Sequence, residues 1–186
     1  MKLNKGDVII FPTDTVYGMG ASVFDLEGQR KIFEIKNRPQ NKRLAVLCAN
    51  ISDIQSIAIL TPDAKKLIEK YMPGGLTIIL KAKENVVSEF VMDTIAVRIP
   101  NHELALRILN ENGPMATTSV NVSGKAPLNE YSDIVKEYAN KVFYIFPNAE
   151  KSSKISSTII DMTTPTYKLI REGDIKFSDI LKYLNK

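Results

Sequence analysis

Hydrophobic positions along the chain switch repeatedly between a strand-like and a helix-like period. The β-branched run "DVIIFPT" (7–13) predicts a strand that ends at Pro12. "DLEGQRKIFEIK" (25–36) predicts a helix weakened by Gly28, ending near Arg38 because Pro39 disfavours helical geometry in the residue before it. "RLAVLCA" (43–49) reads as a short buried strand. "TPDAKKLIEKY" (61–71) has a Thr61 cap, Pro62 at the first helical position and a seam of Ala64, Leu67, Ile68 and Tyr71. "LTIILKA" (76–82) and "DTIAVRIP" (93–100) predict strands, and "NHELALRILNENG" (101–113) a helix stopped by Gly113. "PMATTSVNVSG" (114–124) starts as a strand and ends in loop chemistry; "SDIVKEYA" (132–139) predicts a helix capped by Ser132. "VFYIFP" (142–147), "STIIDM" (157–162) and "TYKLIRE" (166–172) predict strands around a polar loop at 148–157. "FSDILKYLN" (177–185) closes as a helix. Alternating elements of this kind predict an α/β fold, one domain over 1–186 with a large mixed sheet flanked by helices.

Composition narrows the classes. The apolar fraction of 44% over 186 residues is enough to bury a core without staples, and the net charge of +4 tilts the chain weakly toward anionic partners. One cysteine, Cys48, sits in an apolar run and reads as a buried inert thiol, which fits a reducing, cytoplasmic setting. The start "MKLNKGDVIIFPT" has no long apolar core, so no signal peptide is expected, and no apolar run approaches a membrane span. With His102 as the one histidine, Ser/His/Asp and Cys/His machinery has almost no raw material. P-loop, G-x-G-x-x-G and G-x-S-x-G patterns are absent.

What recurs at strand ends is Thr, Ser, Asn, Lys and Arg, an inventory suited to holding anions and stabilising developing charge. Four clusters carry it. "PTDTVYGMG" (12–20) is a Thr-rich turn with Gly18 and Gly20 permitting close backbone approach. "KNRPQNKR" (36–43) holds Lys36, Arg38, Lys42 and Arg43 in eight residues; Arg suits phosphate as a planar fork and Lys as a point charge. "TIAVRIP" (94–100) puts Arg98 on one strand face with Ala96 and Thr94, where a charge needs a partner or a ligand. "TTSVNVSG" (117–124) sets Thr117, Ser119 and Asn121 on one side by the period of two. Each cluster alone also suits an ordinary solvated loop or an edge-strand arginine.

Their combination is more specific. "FPTDTVYGMG", "KIFEIKNRP", "MPGGLTIIL", "TIAVRIPNH", "ATTSVNVSG", "SSTIID" and "LIREGDI" occur in this order, and together they resemble the YrdC/TsaC family of threonylcarbamoyl-AMP synthases from about residue 6 to 175. The family's K-x-R pair falls on Lys36 and Arg38 and its S-x-N pair on Ser119 and Asn121, with Val120 in place of a common Ala and Met19 in place of a common Leu. The resemblance implies a single YrdC-like domain with a twisted sheet and a basic concave face. It implies a nucleotidyltransferase that makes threonylcarbamoyl-AMP and pyrophosphate from L-threonine, bicarbonate or CO₂, and ATP. A downstream transferase complex would pass the threonylcarbamoyl group to the tRNA adenosine beside the anticodon. It further implies Lys36 and Arg38 at the triphosphate with Lys42, nucleotide contacts from Thr94, Ser119, Asn121 and Arg171, and a threonine pocket of Thr15, Arg98, Thr117 and Ser157. Mg²⁺ would arrive with ATP rather than in a carboxylate cage. Two rivals remain on sequence grounds: a module binding double-stranded RNA or tRNA without chemistry, and a relative forming a carbamoyl-adenylate by another route.

Overall fold

A computed structural model describes residues 1–39, 42–148 and 155–185. The chain forms β1 (Ile9–Phe11), β2 (Gly18–Ser22), α1 (Leu26–Lys36), β3 (Ala45–Leu47), α2 (Ile51–Ile57), β4 (Ala58–Ile59), α3 (Pro62–Tyr71) and β5 (Leu76–Ala82). A single 3-10 turn at Glu84–Val86 follows, then β6 (Thr94–Arg98), α4 (Glu103–Asn112), β7 (Met115–Ser119), α5 (Tyr131–Tyr138), β8 (Tyr144–Ile145), β9 (Thr158–Asp161), β10 (Lys168–Arg171) and α6 (Phe177–Leu184).

One ten-stranded mixed sheet runs β10-β9-β5-β6-β3-β7-β2-β1-β8, with β4 added on β5. Parallel pairs β5–β9, β3–β6 and β1–β8 are interspersed among antiparallel ones. Helices pack on both faces of β1, so that strand reads as an unbroken hydrophobic run. Ile10 and Met19 pack with Ile32 and Phe33 of α1 and with Ile134 and Tyr138 of α5. Ile9 and Phe11, on the other face of β1, pack with Leu109 of α4 and Met115. The largest cluster joins Ile78, Leu80 and Val97 to Ile54, Leu67 and Ile180 of α2, α3 and α6.

The local signals explain the helix ends. Thr61 caps α3 by accepting from the Ala64 amide, with Pro62 opening the first turn. α1 stops at Asn37, which takes the left-handed conformation at φ 47°, two residues before Pro39. Gly113 ends α4 at φ 76°. The Ser132 cap is corrected: α5 begins at Tyr131 with Glu130 at its cap position, and Ser132 lies inside the first turn. α2 and β4 have no counterpart among the predicted elements, and β2 occupies ground that the sequence reads as turn. Part of the expected polar loop, residues 149–154, lies outside the described residues.

Candidate active site

The period of two builds the site. Along β6, Ile95 and Val97 enter the core while Thr94, Ala96 and Arg98 face a cavity of about 450 Å³. Along β5, Leu76, Ile78 and Leu80 are buried in the core while Thr77 and Ile79 face the same cavity. Register carries the wall across the sheet: β3 pairs Leu47 with Arg98 and Ala45 with Thr117. β7 in turn sets Thr117 opposite Gly20 and Ser119 opposite Gly18. Thr117 is the side chain that comes close at these glycines. A Cβ at Gly18 would lie 2.8 Å from the Thr117 methyl, and one at Gly20 3.0 Å from its hydroxyl.

The wall is cationic and rich in hydroxyls. Among the described residues four arginines line it, Arg38, Arg43, Arg98 and Arg171, and no carboxylate does. Arg98 is the most buried of them, at 6% exposure. Its Nε donates to the Gly74 carbonyl at 2.8 Å, its Nη1 to Thr15 Oγ1 at 2.7 Å, and its Nη2 to Asp14 Oδ1 at 2.6 Å. Burial pulls its pKa below the ordinary arginine value and Asp14 opposes that pull. Arg171 donates to the Ser157 carbonyl and hydroxyl; burial lowers its pKa, and the nearby Arg98 lowers it further. Gly173 permits this approach, since a Cβ there would lie 2.2 Å from the Ser156 carbonyl. Ser157 Oγ is in turn hydrogen-bonded to Thr77 Oγ1 at 2.7 Å.

Arg38 spends Nε and Nη2 on the carbonyls of Lys42 and Arg43, which folds the cationic loop back on itself. Arg43 reaches Thr94 Oγ1.

Lys36 departs from its expected place. Its side chain is fully buried, and its ammonium donates to the Ser119 carbonyl (2.5 Å), the Asn121 carbonyl (2.6 Å) and Asn121 Oδ1 (2.9 Å). All three N–H bonds are therefore spent on one turn. Burial without a carboxylate partner, reinforced by Arg38, pushes its pKa down to about 8. Asn121 Oδ1 also accepts from Ser119 Oγ, so lysine, serine and asparagine form one knot behind the wall.

Eight of the eleven expected site residues line the cavity: Thr15, Arg38, Thr94, Arg98, Thr117, Ser119, Ser157 and Arg171. Lys36, Asn121 and the exposed Lys42 do not. Sequence reasoning passed over Asp14, Thr13 and Thr77. The alternation of "LTIIL" marks Thr77 as the polar residue on the side opposite Ile78, and Asp14 stands in a quoted motif without a role. Cys48 is buried with its pKa driven up by burial and by Asp53, which suits an inert thiol. His102 caps α4, accepting from the Ala105 amide. Among the described residues no helix is long and apolar enough to cross a membrane.

A mixed sheet whose polar face gathers guanidinium and hydroxyl groups around an open cavity defines an α/β protein with a surface suited to anions. The chain belongs to the Sua5/YciO/YrdC family, whose model, described as "Telomere recombination", matches residues 1–173. It is 32% identical over 189 residues to the threonylcarbamoyl-AMP synthase of Pyrococcus abyssi, a match covering 99% of this chain and 55% of that protein. It is 33% identical over 178 residues to the threonylcarbamoyl-AMP synthase of Bacillus subtilis, covering 93% and 51%. The chain thus spans about half the length of these relatives. In structure it resembles P. abyssi Sua5 complexed with L-threonine (TM-score 0.90, 33% identity, 96% of this chain and 54% of that one). It also resembles Escherichia coli YciO (TM-score 0.84, 26% identity, 96% and 86%).

Proposed function

We propose that this chain forms L-threonylcarbamoyl-AMP and pyrophosphate from L-threonine, bicarbonate or CO₂, and ATP. The observation that carries the reading is the cavity wall itself, where the described residues supply four arginines and a row of hydroxyls and no carboxylate. The family membership and the two named synthases support the same reaction.

The residues divide the work. Arg98 keeps two of its five N–H groups uncommitted after bonding Gly74, Thr15 and Asp14, enough for one carboxylate fork. The amino acid's nitrogen takes up CO₂ and loses a proton, giving a carbamate. A carbamate oxygen attacks the α-phosphorus of ATP, and the α–β bridging oxygen leaves with pyrophosphate. Charge grows on that leaving group, and Arg38 and Arg43 are the residues assigned to offset it, a role supported by their place on the cavity wall and the contacts that fix their side chains. Ser119 and Thr94 offer hydroxyls to the nucleotide, and Arg171 closes the end beside Ser157. Lys36 and Asn121 act behind them, by holding Ser119 in place.

Magnesium fits as part of the nucleotide. Among the described residues no group of three or more His, Cys, Asp or Glu side chains comes together, so the ion would be carried by phosphate and water. The product carries a threonylcarbamoyl group activated as a mixed anhydride, suited to transfer onto a tRNA adenosine by a separate transferase. The test is pyrophosphate release that requires threonine, bicarbonate and ATP together, with threonylcarbamoyl-AMP identified by mass. Release that ignores threonine would overturn the reading.

A further inference from the structure

Asp14 is the carboxylate that the proposed reaction leaves without a task. Its Oδ1 lies 2.6 Å from Arg98 Nη2, in an ion pair whose side chains are 19% and 7% exposed. Its Oδ2 makes no hydrogen bond among the described residues. The other cavity arginines stand differently. Arg38 and Arg171 bond carbonyl and hydroxyl oxygens, and Arg43 comes no nearer than 3.8 Å to the exposed Asp93. Among the described residues, Arg98 is therefore the cavity arginine with a carboxylate in hydrogen-bond contact. It also faces Arg171 closely enough to depress its pKa.

The cavity is divided electrically. At the Arg38–Arg43 end, positive charge is uncompensated or nearly so, which suits a polyphosphate. At the Arg98 end, Asp14 offsets the charge of the arginine it touches while leaving N–H donors open, so Arg171 is the one cation there without a carboxylate contact among the described residues. The guanidinium–carboxylate couple carries no net charge, and Arg98 is the member of it that lines the cavity. The single carboxylate of a zwitterionic amino acid is met by the open N–H donors, whereas a polyanion finds less uncompensated positive charge here than at the Arg38–Arg43 end.

We propose that Asp14 is a positioning and specificity-determining residue: it holds the Arg98 fork in place and reserves that end of the cavity for a zwitterionic amino acid against pyrophosphate. This rests on the proposed function and adds to it an explanation of how an amino-acid site survives beside a triphosphate site. Without Asp14 each end would carry two arginines lacking a close carboxylate, and the leaving pyrophosphate would compete for both.

Calorimetric titration of L-threonine, with and without inorganic pyrophosphate, tests this without turnover. In the native protein, pyrophosphate leaves the threonine Kd within about twofold. In Asp14→Asn, which keeps an oxygen for Arg98 but removes the charge, pyrophosphate raises the apparent threonine Kd at least tenfold. Asp14→Glu keeps the charge and behaves like the native protein; thermal melts of both variants confirm that they fold. Equal behaviour of Asp14→Asn and the native protein overturns the proposal, as does competition in Asp14→Glu matching that in Asp14→Asn. A native protein that binds no threonine overturns the proposed function itself, a distinct result.

Discussion

Lys36→Met separates two accounts of the cationic loop. Methionine replaces the lysine stem with a chain of similar length and no charge. If the ammonium were a solvated cation awaiting phosphate, the fold would not notice. The structure instead gives it three acceptors and no exposure. Asn121 Oδ1 would keep its bond from Ser119 Oγ, but the Ser119 and Asn121 carbonyls would lose the partner that satisfies them. An orphaned buried acceptor costs about 1–3 kcal/mol. Relief of the buried charge offsets part of this, leaving a net loss of about 2–3 kcal/mol. For a chain of this size that lowers the melting temperature by roughly 4–12 °C. Ser119 would also drift from the cavity wall, and a displacement near 1 Å can cost about a hundredfold in rate. The pH dependence adds a second readout. The folded pKa of about 8 lies below the ordinary 10.5, so between these values the unfolded chain holds more protons than the folded one. Lys36 therefore adds stability as pH rises through that window and withdraws it as pH falls through 8. Denaturation midpoints of native and Lys36→Met protein should diverge from pH 7.5 to pH 9.5, with the native gaining. Lys65→Ala is the control: its pair with Glu69 is exposed at 3.8 Å, and its loss should stay within about 0.5 kcal/mol. A Lys36→Met protein that melts like the native one yet has lost activity would refute the reasoning, because the ammonium would then be acting on substrate directly.

Arg98→Lys cannot reproduce contacts to Gly74, Thr15 and Asp14 from one ammonium and also offer a fork. Threonine Kd should rise at least tenfold while nucleotide binding changes little, and titrations that coincide with the native protein's would count against the carboxylate assignment. Gly173→Ala forces a methyl against the Ser156 carbonyl, which is backbone and cannot rotate away. It should destabilise by about 1–3 kcal/mol in urea and loosen Arg171; an unchanged midpoint would show that β10 shifts freely.

The elements read most clearly from the sequence were those with strong local chemistry. Thr61-Pro62 opens α3 where expected, and the apolar seam along α6 buries Ile180 and Leu184. β2 was hidden because Gly18, Met19, Gly20 and Ala21 lack strand-forming side chains. The reason for those glycines is Thr117, on a strand far along the chain. α2 is seven residues long, too short for a helical period to show. The face of β6 that carries Thr94, Ala96 and Arg98 was legible by simple alternation. The burial of Lys36 was not: nothing local distinguishes a lysine before Asn37 from any solvated helix end, and its partners lie 83 and 85 residues away.

That long reach has a consequence for how the molecule assembles. Thr77 meets Ser157 across 80 residues, Arg98 meets Thr15 across 83, and Arg98 meets Asp14 across 84. Such loops close slowly, because the entropy of bringing their ends together is lost before any contact repays it. A half-folded chain can have helices and a hairpin, but it has no cavity. Ligands therefore bind the finished fold alone, and by mass action each one raises the stability of the whole sheet rather than of one corner. A melting temperature followed against substrate concentration thus reports on completion of folding as directly as it reports on binding.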